Sequence, residues 1–486
     1  MAVVKLIVPT TLRNYTGRNS ELSLTGNTVL DVFKALAEQY PDTKNIIFDA
    51  NEKPMVFINV FIGTTNIKQI NCFDTVLKDG DTLTLIPAIA GGAITESVIS
   101  KEREKENKLD NDEILRYSRH LLLREVGVKG QKKLKSAKVL IAGLGGLGAP
   151  LAQYLAAAGV GTIGLVDFDK VDTTNLQRQV IHGTRDVNRP KVASAKDSIR
   201  AINPKVKVEV FNEMLTSDNV LDILSGWDIV ADATDNYVAR YLINDACSIL
   251  GIPDVFGAMY QFEGQVSVFY AKYGPCYRCV YPAPPPAGLV PTCSQGGVLG
   301  VLAGIIGSFQ ANEVIKLIVG GGESLIGKIL SIDAWNNRYQ VFDVAKDKEC
   351  HICGERADIK NIEEIDYQEL CGLKVEEEEP ILAIEAIELK KRLDSGEEIN
   401  LIDVREPHEQ AIVQFPGAKY IPIGQLARRQ EELNPNVDTI FICKEGKRSI
   451  LAIKTLKEAG YKGACYNLKD GLNTWARDVD KSFPQY

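Results

Sequence analysis

"KVLIAGLGGLGAPLAQYLAAAGV", residues 138–160, decides the fold of this chain. An apolar, strand-like run leads into Gly143, Gly145, Gly146 and Gly148, and an Ala-rich helical stretch follows at once. Glycine at such a turn lets the backbone come close to a phosphate, and the helix N-terminus behind it offers free N–H groups and a favourable dipole. A second strand-like run, "TIGLVDFD" (162–169), brings Asp167 about 20 residues on, where a carboxylate can take ribose hydroxyls. The order strand, turn, helix, strand predicts a parallel α/β sheet that binds a nucleotide. It does not choose the nucleotide, because NAD and ATP both use such a turn, and glycines can also serve close packing alone.

The residues that follow favour a triphosphate. "DTTNLQRQVIHGTRDVNRPKV" (172–192) places Asn175, Arg178 and Lys191 downstream of Asp167. Two cations near a phosphate turn suit the negative charge that develops in nucleotidyl transfer, and a dehydrogenase has no need of them. "IVADATDNYVARY" (229–241) ends a buried strand at Asp232 and Asp235, the edge where ligands bind in open α/β sheets. Asp235 can hold Mg²⁺ beside the phosphates, or cap the helix expected of "NYVARYLINDACSIL" (236–250), or do both.

Outward from this block the chain reads as three blocks and two linkers. Its 486 residues, 45% hydrophobic and 25% charged, suit about three soluble domains. The net charge of −8 argues against a nonspecific nucleic-acid binder. The N-terminus reads as a strand rather than a signal peptide, and the apolar stretch 141–166 is too rich in glycine and polar breaks for a membrane span. Ten cysteines without a secretory signal point to thiol chemistry or metal binding in a reducing cytoplasm. Residues 1–92 predict a small mixed sheet with one helix. Residues 93–112 are a charged segment, solvated linker or exposed helix; residues 113–356 form the nucleotide block. Residues 357–380 are an acidic linker, and 381–486 alternate strands and helices again.

Two cysteine hooks, Cys276-x-x-Cys279 and Cys350-x-x-Cys353, have matching spacing. Four thiolates suit tetrahedral Zn²⁺, although the gap between the hooks is long for a zinc ribbon, and two pairs of free thiols remain the other reading. His351, between two of them, is at most a substitute ligand. Cys293 follows the Pro-rich segment 282–288 on a loop. Cys443 ends the strand of "DTIFICKEGKRSILAIKTL" (438–456). Its loop Lys444, Glu445, Gly446, Lys447, Arg448 and Ser449 precedes a helix. Backbone N–H groups, the cations Lys447 and Arg448 and the helix N-terminus all favour a thiolate, or a persulfide, at that position. Cys72, Cys247, Cys371 and Cys465 lack such surroundings and read as packing residues.

Motifs in the second block resemble the MoeB/ThiF family, relatives of ubiquitin-activating enzymes that adenylylate sulfur-carrier proteins. They are "RYSRHLLLREVGVKGQKKLKSAKVLIAGLGGLG", "NLQRQVIHGT", "RPKV", "ATDN", "FEGQVSVF", "GPCYRC" and "GLVPTC". The resemblance implies ATP contacts at Gly146, Asp167, Thr174, Asn175, Leu176, Gln177, Arg178, Lys191, Asp235 and Asn236. It implies zinc at the four hook cysteines, a cysteine at Cys293 able to link to the carrier, and a homodimer in which Arg119 reaches the neighbouring subunit's nucleotide. Gln295 departs from the acidic residue usual in the family. "LIDVREPHE", "FPGAKYIPIG" and "DGLNTWARDVDKSFPQY" make the third block resemble a rhodanese domain, with Cys443 as the sulfur-carrying residue. "VPTTLRNYTG" and "IPAIAGG" make the first resemble the ThiS/MoaD sulfur carriers, closest to the CysO type.

That last resemblance gives Gly91-Gly92 a meaning. A carrier ends in a Gly-Gly tail slim enough for a narrow channel, and only its carboxylate can attack the α-phosphate of ATP. Here Gly92 is amide-bonded to Ala93, so the expected chemistry requires a protease that cuts after Gly92; the plain reading is a linker hinge. The expected fold is an α/β multidomain chain: a ubiquitin-like β-grasp domain, a Rossmann-like ATP-binding domain with a zinc site, and a rhodanese domain. The expected activity is ATP- and Mg²⁺-dependent adenylylation of a carrier glycine. Sulfur transfer from a persulfide then gives a thiocarboxylate for cysteine, molybdopterin or thiamine synthesis. Thiosulfate or a cysteine desulfurase would supply the sulfur; nucleic acid and membrane would have no part. An alternative is an adenylyltransferase that serves a separate free carrier, its own carrier-like domain docking or regulating.

Overall fold

The computed structural model describes residues 2–8, 15–17, 19–48, 53–54, 60–63, 65–67, 70–85, 96–285, 296–371 and 381–485. The chain divides into two compact units, Met1–Lys374 and Val375–Tyr486.

The first unit holds two sheets. The smaller contains β1 (Ala2–Ile7), β2 (Glu21–Gly26), β3 (Val60–Ile62), β4 (Thr65–Asn66) and β5 (Thr82–Leu85) in the order β2-β1-β5-β3-β4. β1 and β5 run parallel at its centre, and the outer pairs are antiparallel. β1 alternates in and out, so Val4 and Leu6 face the core while Val3 and Lys5 face solvent. The helix Val29–Gln39 starts at a capping box in which Thr28 and Asp31 satisfy each other's backbone N–H groups. Its Val29, Val32, Phe33 and Leu36 recur at helical spacing and cover the sheet. A mixed sheet with central parallel strands and one crossing helix is the β-grasp expected of the first block.

The larger sheet has eight strands: β6 (Lys138–Ala142), β7 (Thr162–Val166), β8 (Lys207–Phe211), β9 (Ile229–Asp232), β10 (Asp254–Tyr260), β11 (Glu263–Phe269), β12 (Lys328–Asp333) and β13 (Arg338–Asp343). Their order is β13-β12-β11-β10-β9-β6-β7-β8. β6 to β10 are parallel, and β11 to β13 continue as an antiparallel meander. The chain leaves β6 toward β7 on one side and returns to β9 on the other. The topological switch therefore lies between β6 and β9, where such sheets open a crevice at the strand ends.

The 20-residue helix Gly300–Val319 is long and apolar enough to cross a membrane by length and composition. Here it is a core helix, and its polar groups show why. Gln310 Nε2 donates to the carbonyls of Asp232 and Val255, at 2.7 and 2.9 Å, and Glu313 accepts from Leu325 N. Sequence composition singled out 141–166 as the apolar stretch and passed over this one.

Both expected linkers are more structured than their charge suggests. Ile99 is buried, Val98 N donates to Leu317 O, and Ser97 Oγ bonds the carbonyl of Ile318. The exposed helix Lys101–Glu106 is then pinned by Arg103, whose guanidinium takes both oxygens of Asp228 and the carbonyl of Ser136. One well-placed ion pair thus fastens a segment that reads as solvated. Residues 357–371 likewise belong to the first unit rather than to a linker. Ile362, Tyr367 and Cys371 are buried in its core, and Tyr367 Oη donates to Asp245, which also pairs with Arg278.

The small sheet touches the large one. The rings of Phe61 and Phe342 lie 4.9 Å apart, and Arg338 pairs with Glu21 at 3.2 Å. An aromatic contact of this kind contributes about 1 kcal/mol beyond the area that it buries.

The second unit is a five-stranded parallel sheet. β14 (Ala383–Ile384), β15 (Asn400–Asp403), β16 (Lys419–Tyr420), β17 (Thr439–Ile442) and β18 (Cys465–Leu468) stand in the order β14-β18-β17-β15-β16. β17, buried along its whole length, is the central strand that delivers Cys443.

Candidate active site

The glycine turn sits at the switch point, between the end of β6 and the helix Gly148–Ala158. Gly143 adopts φ +91°, and a Cβ there would lie 2.8 Å from the carbonyl oxygen of Ala233. A Cβ on Gly148 would lie 2.0 Å from the carbonyl oxygen of Gly143. Both glycines are therefore required by backbone alone, so the close-packing role is real. No side chain caps the helix that follows, which leaves its first N–H groups for a ligand. Beside Gly145, the buried Gln179 keeps an Oε1 with no partner among the described residues. A close backbone turn, uncapped N–H groups and an orphan acceptor fit a bound nucleotide.

Asp167 accepts from Leu144 N at 2.7 Å and from Asp169 N at 2.8 Å. One of its oxygens thus holds the turn in shape. Lys191 is buried and paired with Asp169 at 2.7 Å. The segment of Thr174, Asn175, Leu176, Gln177 and Arg178 is a short 3₁₀ turn, Thr173–Asn175, and its continuation. Asp172 caps it, and Arg178 bonds back to Thr174 O at 2.9 Å. A Cβ on Gly300 would lie 2.4 Å from Gln177 O, and one on Gly146 would meet Met259 and Ala303. The start of the long helix therefore packs against both the turn and this segment.

At the end of β9, Asp232 is buried and its carboxylate holds Thr234 N and Thr234 Oγ1. Burial pushes its pKa up, as it does more strongly for its neighbour Asp254. The helix Tyr237–Leu250 is capped by Asn236, whose Oδ1 accepts from Ala239 N at 2.9 Å. The capping alternative for Asp235 is thereby corrected: the neighbouring residue does that work. Asp235 is left exposed and makes no hydrogen bond or ion pair among the described residues. Arg119, on the short helix Ser118–Leu121, is likewise exposed and unpaired among the described residues. Gly91, Gly92, Cys293 and Gln295 lie outside the described residues.

Three residues that matter to this geometry escaped the sequence. His182 is buried, with Nε2 3.2 Å from Leu144 O and Nδ1 2.9 Å from Ser194 Oγ, so it ties the turn to the helix Lys191–Ile202. Burial lowers its pKa, with Lys191 adding to the effect. Asp169 carries Lys191. Arg240 reaches back to Thr234 O at 3.0 Å over the ring of Phe256. A histidine in an apolar run and an arginine one helical turn past a cap carry no local signal of such roles.

The four hook cysteines come together. Their sulfurs all lie within 4.8 Å of one another, with 3.5 Å between Cys276 and Cys350 and 3.3 Å between Cys279 and Cys353. Zinc with bonds of about 2.3 Å needs tetrahedral sulfur–sulfur edges of about 3.8 Å, so this cluster can hold the ion. His351 points elsewhere, to Asp358 at 2.9 Å, and is no ligand. Of the four cysteines read as packing residues, Cys247, Cys371 and Cys465 are buried, but Cys72 is exposed on a turn with φ +51°.

In the second unit Cys443 is buried at the end of β17. Its loop is fastened from behind: Leu472 N donates to Cys443 O, Asn473 N to Lys444 O, and a Cβ on Gly471 would lie 2.3 Å from Cys443 O. Ser449, fully buried in the first turn of the helix Lys447–Glu458, has an Oγ without a partner among the described residues. Of the two cations expected to serve the sulfur, Arg448 is already paired. Arg448 forms a two-pronged pair with Glu409, at 2.5 and 2.6 Å, and Lys447 lies 3.7 Å from Glu445. Backbone N–H groups and the helix end remain to favour an anion there.

Comparison with known proteins accounts for the three blocks in order. The ThiS family model matches residues 6–92, the ThiF family model residues 117–352, and the rhodanese-like domain model residues 385–478. The probable adenylyltransferase/sulfurtransferase MoeZ of Mycobacterium tuberculosis is 43% identical over 392 residues, covering 79% of this chain and 98% of that protein. The adenylyltransferase and sulfurtransferase MOCS3 of Culex quinquefasciatus is 40% identical over 400 residues, 78% of this chain and 91% of that one. MOCS3 of Sus scrofa is 41% identical over 405 residues, 78% and 89% respectively. With a nucleotide turn at the switch point of one sheet and a cysteine loop at the centre of another, the chain belongs to the family of ThiF-type adenylyltransferase/sulfurtransferase enzymes represented by MoeZ and MOCS3.

Proposed function

We propose that the first unit activates the C-terminal glycine of a ubiquitin-like sulfur carrier as an acyl-adenylate, and that a persulfide on Cys443 then supplies the sulfur of a carrier thiocarboxylate. The observation that carries this reading is the convergence at one sheet edge of the glycine turn, the 174–178 segment, Lys191 and an unengaged Asp235. Gly146 and the helix N-terminus cradle phosphate, Asp167 and Asn236 hold the frame of the nucleotide pocket, and Arg178 and Lys191 face the developing charge. Asp235 would hold Mg²⁺, which would bind the phosphates and neutralise part of their charge. Arg119 would complete the pocket of the neighbouring subunit in a homodimer. Zinc on the four hook cysteines would tie the end of the ThiF-type fold to the helix Tyr277–Val280. Cys293 would link transiently to the carrier.

On this reading the chain is a carrier up to Gly92, an adenylyltransferase reaching residue 371, and a sulfurtransferase from residue 381, working in the cytoplasm. A protease frees Gly92, and the sulfur donor is thiosulfate or a cysteine desulfurase. The product feeds cysteine, molybdopterin or thiamine synthesis. A second reading, service to a separate carrier, has its own support. About four-fifths of this chain spans MoeZ almost end to end, so the core has a counterpart without the remaining fifth. The test is to isolate protein from its native host and look for a fragment ending at Gly92 and a remainder beginning at Ala93. The fragment, given ATP, the remainder and a sulfur donor, should exchange one carboxylate oxygen for sulfur. Only full-length chain, with sulfur transfer to a free carrier running normally, would select the second reading.

A further inference from the structure

We propose that Arg240 is a positioning residue for adenylylation: with Asp232 it grips Thr234 from two sides and so fixes the backbone that carries Asp235 beside the glycine turn. The inference rests on the reading of Asp235 as the Mg²⁺ carboxylate and adds the group that presents it.

Asp235 stands just past β9 with an unengaged side chain, and the residues before it are held one by one. Asp232 O accepts from Gln310 Nε2 at 2.7 Å, and Ala233 N donates to Ala142 O at 2.8 Å. Thr234 N and Thr234 Oγ1 both donate to Asp232 Oδ1, at 2.8 and 2.6 Å. Thr234 O accepts from Arg240 Nη2 at 3.0 Å. On the other side Asn236 caps its helix by accepting from Ala239 N. The main chain at Asp235 is therefore pinned at both neighbours, while its carboxylate stays exposed and unpaired among the described residues. The same segment abuts the glycine turn, because a Cβ on Gly143 would lie 2.8 Å from Ala233 O and 3.3 Å from Thr234 N. A shift of Thr234 thus moves Asp235 relative to the glycines.

The helix itself does not favour an arginine at this place. Arg240 stands in the first turn of the helix Tyr237–Leu250, at the positive end of its dipole. Other contacts keep it there. Its guanidinium lies 5.2 Å from the centre of the Phe256 ring. Its charge favours the ionised form of both Asp232 and Asp254. Those two side chains are buried, and each has one oxygen without a partner among the described residues; Arg240 Nε is buried and lacks one too. A buried carboxylate that loses its counter-charge destabilises the fold, so the two carboxyl groups hold the guanidinium in place. Its directed bond then goes to Thr234 O. A loosened Thr234 would leave the glycine turn and Lys191 free to bind phosphate, but Mg²⁺ would first have to order the segment of Asp235. The loss therefore falls on ATP with Mg²⁺ and not on ATP alone.

The experiment titrates the full chain with ATP, once with Mg²⁺ and once with EDTA, and records the melting temperature of each variant. R240M removes both charge and bond. It should raise the dissociation constant for ATP with Mg²⁺ about tenfold, the effect of one charge-assisted hydrogen bond, and leave the value in EDTA unchanged. R240K keeps a charge and a donor and should recover part of the loss, leaving a rise of about threefold. If R240M does not fold, R240K decides, by a rise confined to the Mg²⁺ titration. Dissociation constants that rise together with and without Mg²⁺, or that stay put in a folded variant, would overturn the proposal and leave Arg240 as a counter-charge to Asp232 and Asp254. If D235A keeps the wild-type ratio of the two dissociation constants, the reading beneath the proposal fails instead.

Discussion

Ala142 and Ile442 each end a strand buried from at least its second residue on, among parallel neighbours, and in each case a short loop, 143–147 or 443–446, leads straight into a helix. Each turn needs a glycine's missing Cβ: Gly148 against Gly143 O within the first turn, and Gly471, from the later helix Gly471–Asp478, against Cys443 O. The furnishing differs. The first loop has no ionisable side chain of its own, and the charged groups around it come from elsewhere: Asp167 from just past β7, Lys191 from the start of a following helix, Asp235 from the segment after β9. The second loop carries its own nucleophile and the cation Lys444, and of the two cations that open the helix behind it Arg448 is paired with Glu409. A loop that receives a charged ligand is left bare and lets neighbours supply the charge. A loop whose own atom reacts carries its charge in its own sequence.

The sharpest way to break the comparison is to remove the nucleophile. C443A should lower sulfur transfer by at least about 1000-fold, since nothing else in the loop can form the persulfide, while leaving ATP–pyrophosphate exchange at its wild-type rate. Loss of both activities would mean that the two loops do not work independently. The counterpart at the first loop is D235A. It should cut ATP–pyrophosphate exchange by about 100-fold or more and leave sulfur transfer from a small donor intact. Because Asp235 is exposed and makes no hydrogen bond among the described residues, its loss should not move the melting temperature. Exchange at the wild-type rate would remove it from the phosphate site.

G148A tests the shared backbone plan rather than the chemistry. The added Cβ would meet a main-chain oxygen that cannot move without opening the turn, so the cost should be about 3 kcal/mol and appear as a lower melting temperature of the first unit. A folded, equally stable G148A would show that the close approach is not built as described.

How much of this was legible in the sequence follows the same division. The glycine turn, the two cysteine hooks and the Cys443 loop are local patterns of residue and spacing: the turn lies between a strand and a helix, the four hook sulfurs meet, and Cys443 ends its strand. What stayed hidden depends on partners far along the chain. Arg103 finds Asp228, 125 residues away, and turns a charged segment into a docked one. Tyr367 reaches Asp245 and draws an acidic stretch into the core. Arg448 is claimed by Glu409, 39 residues upstream, and so a cation that looks catalytic from its neighbours is already engaged. A single sequence shows which side chains carry charge, but not which charges end up paired.

The smallest expected effect concerns acid. His182 donates from Nε2 to Leu144 O and holds Nδ1 2.9 Å from Ser194 Oγ, in a buried site that disfavours the charged ring. Burial lowers its pKa in the folded chain, whereas the unfolded chain protonates it near the ordinary value of about 6.5. Between those two values the unfolded state binds the extra proton, so stability falls as the pH drops from about 7 toward the folded value, and the full contribution is present above the unfolded pKa. The loop at Cys443 has no such histidine in its framework, where the fixed contacts are backbone bonds to 472 and 473. ATP–pyrophosphate exchange should therefore decline a few-fold between pH 7 and pH 5.5 through a rising KM for ATP as the turn loosens. In H182Q, whose amide can still bond the Leu144 carbonyl but does not titrate, that part of the decline should vanish. A KM for ATP that rises equally in wild type and H182Q would place the acid sensitivity elsewhere and leave His182 as packing alone.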